Sequence, residues 1–480
     1  KGMVPPPKQG SQNSQIVGAY VKEPQVGQHK WVMSFDLNSL YPHLIMQYNM
    51  SPDTHLPNKF NQDISVNKLL EGEVDITSLT TSTVTPNGAM FSTKRQGFLP
   101  ELLEEMYDER VLTKNKMIQH RKELEKTAKD DTTTKRKLEY AITAENNNQM
   151  AAKIALNSCY GALGNQYFRY FNRDIAEGIT TAGQLSIKWV EKAVNTYMNK
   201  LLETDEDYVI AIDTDSIYVT FDALVSKVNP KNPVDFLDTI AKEKLEPMIN
   251  ESYEELASYM NAYDNRMHMG REVIADKAIW TAKKRYILNV HDSEGVRYKS
   301  PRLKLMGIET AKSSTPMWCR KKLAQGIKVV MNETEHDVWE FITNARNEFS
   351  KLPIEEISFP RGCQNVTNYS NAASIYRKGT PIHVRGSLLY NNYLSKYNID
   401  KKYPVITNGE KVKFCYLKMP NVINENVISF VNALPKEFEL EPYIDYETQF
   451  NKSFVEPLGV ILNKIGWTTE PVSTLNEFFG

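Results

Sequence analysis

The stretch YVIAIDTDSIYVTF, residues 208–221, places the polar run Asp-Thr-Asp-Ser between two runs of β-branched and aromatic residues. Such runs favour strands, and the polar break between them predicts a β-hairpin. Its centre carries the carboxylates of Asp213 and Asp215. An Asp-x-Asp pattern also occurs in ordinary hairpin turns, in calcium loops and in glycosyltransferase metal sites. The glycine and terminal Glu of a calcium loop are missing here, which argues against that alternative.

A second acid lies far upstream, in the run DLNSLYP of residues 36–42. Residues 31–37 predict a short apolar strand that delivers Asp36 near its end. An Asp at the end of a strand is most often a turn or cap residue. Phosphoryl transfer, however, needs carboxylates from separate segments to hold two Mg²⁺ ions about 3.5–4 Å apart. Mg²⁺ prefers oxygen ligands and keeps several waters, so one or two carboxylates per ion suffice.

Two long helices are predicted between these acids. Residues 100–129 have apolar and cationic residues spaced by three or four, and a second helix is predicted over residues 136–163. The charged, Thr-rich stretch 129–137 predicts a solvated turn, so the pair forms a helical hairpin. A further helix is predicted over residues 174–202 and a strand over residues 278–290.

One face of the second helix combines several groups suited to a nucleotide. Lys153 and Asn157 are four residues apart, and Tyr160 and Gly161 follow on the same face. The cation suits a phosphate, while the ring and the bare backbone suit a base pair. The alternative is a solvated face with one Lys and a core Tyr.

The first helix offers two further cations, Arg110 and Lys114, at positions i and i+4. With Lys153 they would present three cations to one triphosphate, and Arg is able to bind it bidentately. The alternative is surface ion pairing with neighbouring acids of the same helix, namely Glu104, Glu105 and Glu109.

A basic run, Lys283, Lys284 and Arg285, precedes Tyr286 and is flanked by apolar residues. Inside a strand these cations would alternate between faces. They would suit the backbone of a nucleic-acid duplex, where they neutralise phosphates. Most charge runs are only solvated.

The composition of the 480 residues names no partner, because 58 Lys and Arg nearly balance 59 Asp and Glu. A nucleic-acid site would have to be a local basic surface. The four cysteines are far apart and suggest reduced thiols. No apolar run approaches the roughly 20 residues of a membrane span, so no membrane association is expected.

In this order, the segments resemble those of family B DNA polymerases, most closely the T4-like phage type. DLNSLYP resembles motif A, KIALNSCYGALGN of residues 153–165 resembles motif B, and DTDSIYV of residues 213–219 resembles motif C. KKRY resembles the basic motif that follows, and GIETAKSSTP of residues 307–316 the start of the thumb. Departures are Ile212, Cys159 and His43, none of which removes a charged group needed for chemistry.

The resemblance implies an α+β fold, a right-hand polymerase with an antiparallel-sheet palm, helical-hairpin fingers and a mixed, mainly helical thumb. The palm would comprise residues 1–99, with a lead-in loop, and 166–299. The fingers would be residues 100–165. Residues 300–480 would form the thumb and end in a clamp-binding tail.

The resemblance also implies residue roles. Asp36 and Asp215 would be catalytic and bind two Mg²⁺ ions with the Leu37 carbonyl, Asp213 would shape the site, and Glu272 would lie nearby. The nucleotide-binding residues would be Ser39, Leu40, Tyr41, Arg110, Lys114, Lys153 and Asn157, with Tyr41 as the steric gate against a 2′-OH. The base pair or primer would contact Tyr160, Gly161, Thr214, Lys283, Lys284, Arg285 and Tyr286. The clamp would bind Leu475, Phe478 and Phe479.

The implied function is template-directed addition of dNTPs to a primer 3′-OH. The implied partners are primer–template DNA, dNTPs and a sliding clamp, in the cytoplasm of a phage-infected host cell. Because only about 30 residues precede motif A, too few for a domain, we expect no 3′–5′ exonuclease in this chain and a separate exonuclease chain as a partner. The alternatives are an inactive DNA-binding scaffold subunit of a replisome and a glycosyltransferase.

Overall fold

A computed structural model describes residues 16–37, 39–128 and 130–471, apart from the side chain of Ala311. The lead-in residues 1–15 and the predicted clamp-binding residues Leu475, Phe478 and Phe479 lie outside this range. The described residues form two compact units. Unit 1 contains residues 16–25, 29–278 and 288–304, and unit 2 contains residues 26–28, 279–287 and 305–471.

The first part of the chain, to residue 306, contains eight strands and eight α-helices within the described residues. The strands are β1 (Gly27–Leu37), β2 (Ser82–Val84), β3 (Met90–Ser92), β4 (Val209–Asp213), β5 (Ser216–Thr220), β6 (Met269–Ala282), β7 (Arg285–Ser293) and β8 (Val296–Met306). The helices are α1 (Leu40–Gln47), α2 (Val66–Leu70), α3 (Phe98–Lys126), α4 (Thr132–Leu163), α5 (Arg173–Leu202), α6 (Asp222–Val228), α7 (Pro233–Ile240) and α8 (Glu246–Tyr259).

A six-stranded sheet, in the order β4-β5-β1-β6-β7-β8, organises this part of the chain. β1 pairs antiparallel with β5, and β5 pairs antiparallel with β4, as the predicted hairpin requires. In these pairs, Ser216 lies opposite both Asp36 and Asp213. The central strands are apolar and buried because helix α5 packs along the sheet, against α1 and α8 as well.

The predicted helical hairpin is confirmed as α3 and α4, which pack against each other. Beyond the first turn of α3, the buried residues of both helices recur every seven positions, the spacing of a narrow helix–helix seam. They are Leu103, Arg110 and Met117 on α3 and Gln149, Leu156 and Leu163 on α4. The rest of both helices is largely open to solvent, so their polar faces are available for binding.

The predicted turn between the two helices was too long. The three threonines of residues 132–134 form the first turn of α4 instead. Asp131 is the N-cap, and its side chain accepts a hydrogen bond from the Thr134 amide at 3.0 Å. A capping carboxylate satisfies an amide that the helix leaves unpaired, which allows a helix to begin inside a polar sequence.

The prediction of one continuous strand over residues 278–290 was wrong, because this stretch contains parts of two strands. It is interrupted by a turn at Lys283 and Lys284, between β6 and β7. Lys284 has a positive φ of 59°, so the backbone reverses direction there. The three cations are exposed at this turn rather than alternating along one strand.

Unit 2 is also built from helices and strands. Its helices are α9 (Met317–Asn332), α10 (Glu335–Phe349), α11 (Ile354–Ile357), α12 (Val366–Tyr369), α13 (Ile382–Lys396), α14 (Tyr446–Phe450) and α15 (Glu456–Leu462). The strands are β9 (Phe359–Gly362), β10 (Ser370–Asn371), β11 (Ile375–Tyr376), β12 (Lys411–Tyr416) and β13 (Val427–Phe430). β13, β12 and β9 form an antiparallel sheet.

Helices and antiparallel sheets in both units confirm the mixed α+β class. The finer assignment of palm, fingers and thumb stays a prediction. Among the helices that the structure describes, none combines the length and the apolarity that a bilayer crossing demands.

Candidate active site

Two acids that are 179 positions apart in sequence meet at one end of the sheet. Asp36 lies near the end of β1, opposite Ser216, and the Leu37 amide donates a 2.8 Å hydrogen bond to the carbonyl of Asp215. Thr214 has a φ of 64°, which turns the chain tightly between β4 and β5. Asp36, Thr214 and Asp215 all line one cavity of about 430 Å³.

This carboxylate pair is electrostatically unfavourable without a cation. Burial raises the pKa of Asp36 well above its usual range, and the negative charges of Asp215 and Glu272 raise it further. Burial likewise raises the pKa of Asp215, with contributions from Asp213 and Glu272, although the charge of Lys153 lowers it. A divalent cation would remove this repulsion. Oxygen donors of this kind fit the preference of Mg²⁺.

The two other predicted acids have different positions. Glu272 lines the cavity, where it accepts hydrogen bonds from Lys304 at 2.7 Å and Ser34 at 3.2 Å. Asp213 ends β4 next to the turn and is not among the residues that line the cavity. Its charge still raises the pKa of Asp215.

The predicted cations of α3 both line the cavity. Arg110 is only 7% exposed, and its guanidinium donates to the Ser39 hydroxyl at 2.8 Å. The alternative of a surface ion pair is therefore not supported, and Glu104 pairs with Arg266 instead. Lys114 lies 2.5 Å from the carboxylate of Glu294.

Helix α4 contributes Lys153, Asn157 and Tyr160 to the same cavity. The ring of Tyr160 lies 4.5 Å from that of Tyr41, measured between centroids. Burial, with the neighbouring Tyr160 and Asp215, raises the pKa of Tyr41 to about 12, so this ring stays neutral. Gly161 does not line the cavity, and a Cβ placed there would meet no atom within 4 Å.

Motif reasoning missed several cavity residues. Besides Leu40, which was predicted, the lining includes Met117, Arg121, Asn146, Gln149, Met150 and Glu294. Arg121 lies seven residues after Lys114, so helical spacing alone would have placed it on the same face. Glu294 gave no such signal, because it comes from a turn distant in sequence.

The remaining predicted contacts lie in unit 2. Lys283 and Lys284 are exposed at the turn before β7, and Arg285 is exposed as the first residue of β7. Tyr286 is 3% exposed and stacks on Trp280, with ring centroids 5.4 Å apart. Its ring is therefore a core element that supports the basic turn, and a direct contact with a primer is not favoured.

A separate group of potential metal ligands lies on α10. Within the described part of the chain, His336, Asp337 and Glu340 are the group of three whose ligand atoms lie within 4.8 Å of one another. His336 and Glu340 are exposed, and Asp337 is engaged in the capping box of α10 with Thr334. This surface group is distinct from the predicted pair Asp36 and Asp215.

Comparisons with known proteins agree with the motifs. The family model described as DNA polymerase family B matches residues 1–378. The DNA-directed DNA polymerase of Enterobacteria phage T4 is 34% identical over 99% of this chain and 58% of its own length. That of Escherichia phage RB69 is 34% identical over 96% of this chain and 56% of its own length.

A more distant relative, a DNA polymerase of Pyrococcus glycovorans, is 30% identical over 49% of the chain and 25% of its own length. The chain thus spans a little more than half the length of the phage relatives. A match over most of the chain, with all three motifs in order, settles its ancestry: it belongs to DNA polymerase family B.

Proposed function

We propose that this chain carries out template-directed DNA synthesis, in which a primer 3′-OH attacks a dNTP and pyrophosphate leaves. The observation that carries the proposal is the meeting of Asp36 and Asp215 with Arg110, Lys114 and Lys153 around one cavity. Acids that favour a divalent cation and cations that favour a triphosphate are the two halves of a nucleotidyl-transfer site.

Two Mg²⁺ ions would be held by Asp36 and Asp215, with the backbone carbonyl of Leu37. When bound, these ions would lower the pKa of the attacking hydroxyl and stabilise charge on the leaving group. Asp213 and Glu272 would add negative potential that favours cation binding, because both already raise the pKa of Asp215.

The triphosphate would be held by Arg110, Lys114 and Lys153, with Asn157 as a neutral donor. Ser39 fixes Arg110 through the hydrogen bond at 2.8 Å, so the guanidinium is preorganised. The backbone amides of residues 39–41, including Leu40, would assist.

Sugar selection would depend on Tyr41, as the steric gate. Its ring contacts Tyr160 of α4, and α5 also approaches it closely, since a Cβ at Gly183 would lie 3.4 Å from the Tyr41 ring. A ring packed between two helices has little freedom to move away from a 2′-OH. Tyr160 and Gly161 would face the nascent base pair, and Thr214 the primer strand.

The hand-like layout is part of the proposal. Residues 1–99 and 166–299 would form the palm, residues 100–165 the fingers, and residues 300–480 the thumb. Rotation of the fingers would bring the cations of α3 and α4 onto the triphosphate and exclude water.

The wider partners are proposals as well. The basic turn of Lys283, Lys284 and Arg285 would contact the primer–template duplex, and the tail residues Leu475, Phe478 and Phe479 a sliding clamp. Both phage relatives suggest a role in an infected host cell. That this chain degrades no primer by itself stays a prediction, which a primer-degradation assay tests, and a separate exonuclease partner stays a prediction as well.

Primer extension with purified variants tests the proposal. Asp36→Ala and Asp215→Ala should each lower the rate at least about 1000-fold, a loss of roughly 4 kcal/mol in transition-state stabilisation. Asp205→Ala, which removes an exposed acid in the loop before β4, is the matched control and should retain full activity.

Circular dichroism must show that all three variants remain folded. Robust extension by either site variant would refute the metal assignment. Failure of the wild-type chain to extend a primer while still binding duplex DNA would favour the alternative of an inactive scaffold subunit, and failure to bind duplex at all would refute the proposed function. The glycosyltransferase alternative is not retained, because the chain belongs to DNA polymerase family B.

A further inference from the structure

Lys114, one of the cations proposed to bind the triphosphate, already forms an ion pair within the protein. Lys114 of α3 lies 2.5 Å from Glu294, and their side chains are 24% and 29% exposed. Both residues line the 430 Å³ cavity. The carboxylate therefore takes a position next to Lys114 that a phosphate oxygen would also need.

Glu294 is an unusual residue for the turn that presents it. Glu294 and Gly295 connect β7 to β8 and have φ angles of 51° and 77°. Two consecutive residues with positive φ are typical of a type I′ turn, where Asn or Asp usually precedes Gly. Glu is a poor choice for that backbone, and residues in strained conformations cluster at functional sites.

The same turn is held firmly by the residues around it. The Glu294 amide donates to the carbonyl of Glu272 at 2.6 Å, and the Gly295 amide donates to Asp292 at 3.0 Å. Asp292 is itself buried against Arg271, at 2.5 Å. Glu294 is thus directed towards Lys114 by an anchored backbone, in contrast to a mobile surface acid.

The two glutamates that line the cavity, Glu272 and Glu294, form ion pairs with different lysines. Glu272 pairs with Lys304, whereas Glu294 pairs with the cation that faces the proposed nucleotide. A second cavity of about 330 Å³ also has Glu294, Lys114 and Gly295 in its lining. The Glu294 carboxylate could rotate into this second cavity when a phosphate binds Lys114 in its place.

We propose that Glu294 is an internal counter-ion for Lys114, which an incoming nucleoside triphosphate must displace. This inference rests on the proposed function, since it concerns the affinity of the same site for its nucleotide. Glu294 is a positioning residue in this scheme. It sets the nucleotide concentration at which the site fills and takes no part in the chemical step.

The test is the dNTP dependence of primer extension by Glu294→Gln, a substitution that keeps size and removes charge. We expect KM for the dNTP to fall roughly five-fold, as for a partly exposed ion pair, with kcat changed less than about two-fold. The matched control is Glu125→Gln, which breaks the ion pair between Glu125 of α3 and Arg302 of β8, away from the cavity. Its KM should stay at the wild-type value.

A double-mutant test distinguishes the specific ion pair between Glu294 and Lys114 from a general effect of removing a negative charge. In Lys114→Met, the additional change Glu294→Gln should lower KM by less than about two-fold, because the ion-pair partner is gone and only the weaker electrostatic effect of Glu294 on Arg110 remains. A roughly five-fold fall in KM in that background as well would overturn the proposal, as would an unchanged or higher KM for Glu294→Gln alone. If the wild-type chain extends no primer, the proposed function itself has failed, whatever Glu294 does.

Discussion

The buried ion pair between Arg271 and Asp292 gives the sharpest prediction about the fold around the site. Their side chains are 3% and 2% exposed, and they lie 2.5 Å apart. Asp292 also accepts hydrogen bonds from Arg297 at 3.1 Å and from the Gly295 amide at 3.0 Å. The change Asp292→Ala would therefore leave three donors without this acceptor.

The loss of stability in Asp292→Ala depends on the ion pair that Arg271 keeps with Asp238. Removing one partner of a buried ion pair costs about 3–5 kcal/mol, mainly because the other charge stays buried and uncompensated. Arg271 keeps Asp238 at 2.6 Å, so the lower end of that range applies. We expect the free energy of unfolding of unit 1 to fall by about 3 kcal/mol.

The measurement is urea denaturation combined with hydrogen exchange, which assigns the loss to β6, β7 and β8. The control is Asp235→Ala. The side chain of Asp235 pairs with Arg297 and is 63% exposed, so its removal should lower the free energy of unfolding by less than about 1 kcal/mol. If both variants lose the same stability, or if Asp292→Ala loses less than about 1 kcal/mol, the pair does not hold the hairpin as we argue.

Three further predictions concern the site and the basic turn. Because burial and neighbouring acids raise the pKa of Asp36 to about 8, the contribution of Asp36 to the stability of the metal-free fold should fall as pH rises from about 4, its unfolded pKa, towards 8. Mg²⁺ should then raise Tm more at pH 8 than at pH 5; equal gains would contradict this. Tyr41→Ala should lower discrimination against ribonucleotides at least about tenfold, or 1.4 kcal/mol, in paired kcat/KM measurements; unchanged discrimination would exclude the gate. Gly307→Ala should destabilise unit 2 by about 2 kcal/mol or more in thermal unfolding, since its Cβ would lie 2.3 Å from the Lys284 carbonyl oxygen at a φ of 65°; a neutral change would show that the turn adapts.

Periodic patterns predicted the main elements well. The three- and four-residue spacing along α3 and the apolar runs on either side of the Asp-Thr-Asp-Ser segment are local signals, so a single sequence contains them. Boundaries were less accurate where one side chain decides them. Asp131 starts α4 earlier than composition suggests, and the positive φ of Lys284 breaks a run that has strand propensity throughout.

The site was predictable where its residues lie on regular elements. Arg110, Lys114, Lys153 and Asn157 follow helical spacing, and all four line the cavity. Glu294 was not predictable, because its place depends on the pairing of β7 with β8 and on the anchor at Asp292. Such long-range geometry leaves no periodic mark in the sequence.

Three residues with backbone conformations that are unusual for their residue type lie around the cavity. Ser39, Thr214 and Glu294 line it, and all have φ angles between 51° and 64°. Ser39 precedes α1 at its N-cap, where a serine usually accepts a hydrogen bond from the helix, yet its side chain makes no capping bond and accepts from Arg110 instead. Each of the three therefore gives up local stability. Since such strain persists only where the surrounding structure enforces it, we expect the turn of Glu294 to serve the proposed nucleotide site together with the other two residues, and to be more than a connection between strands.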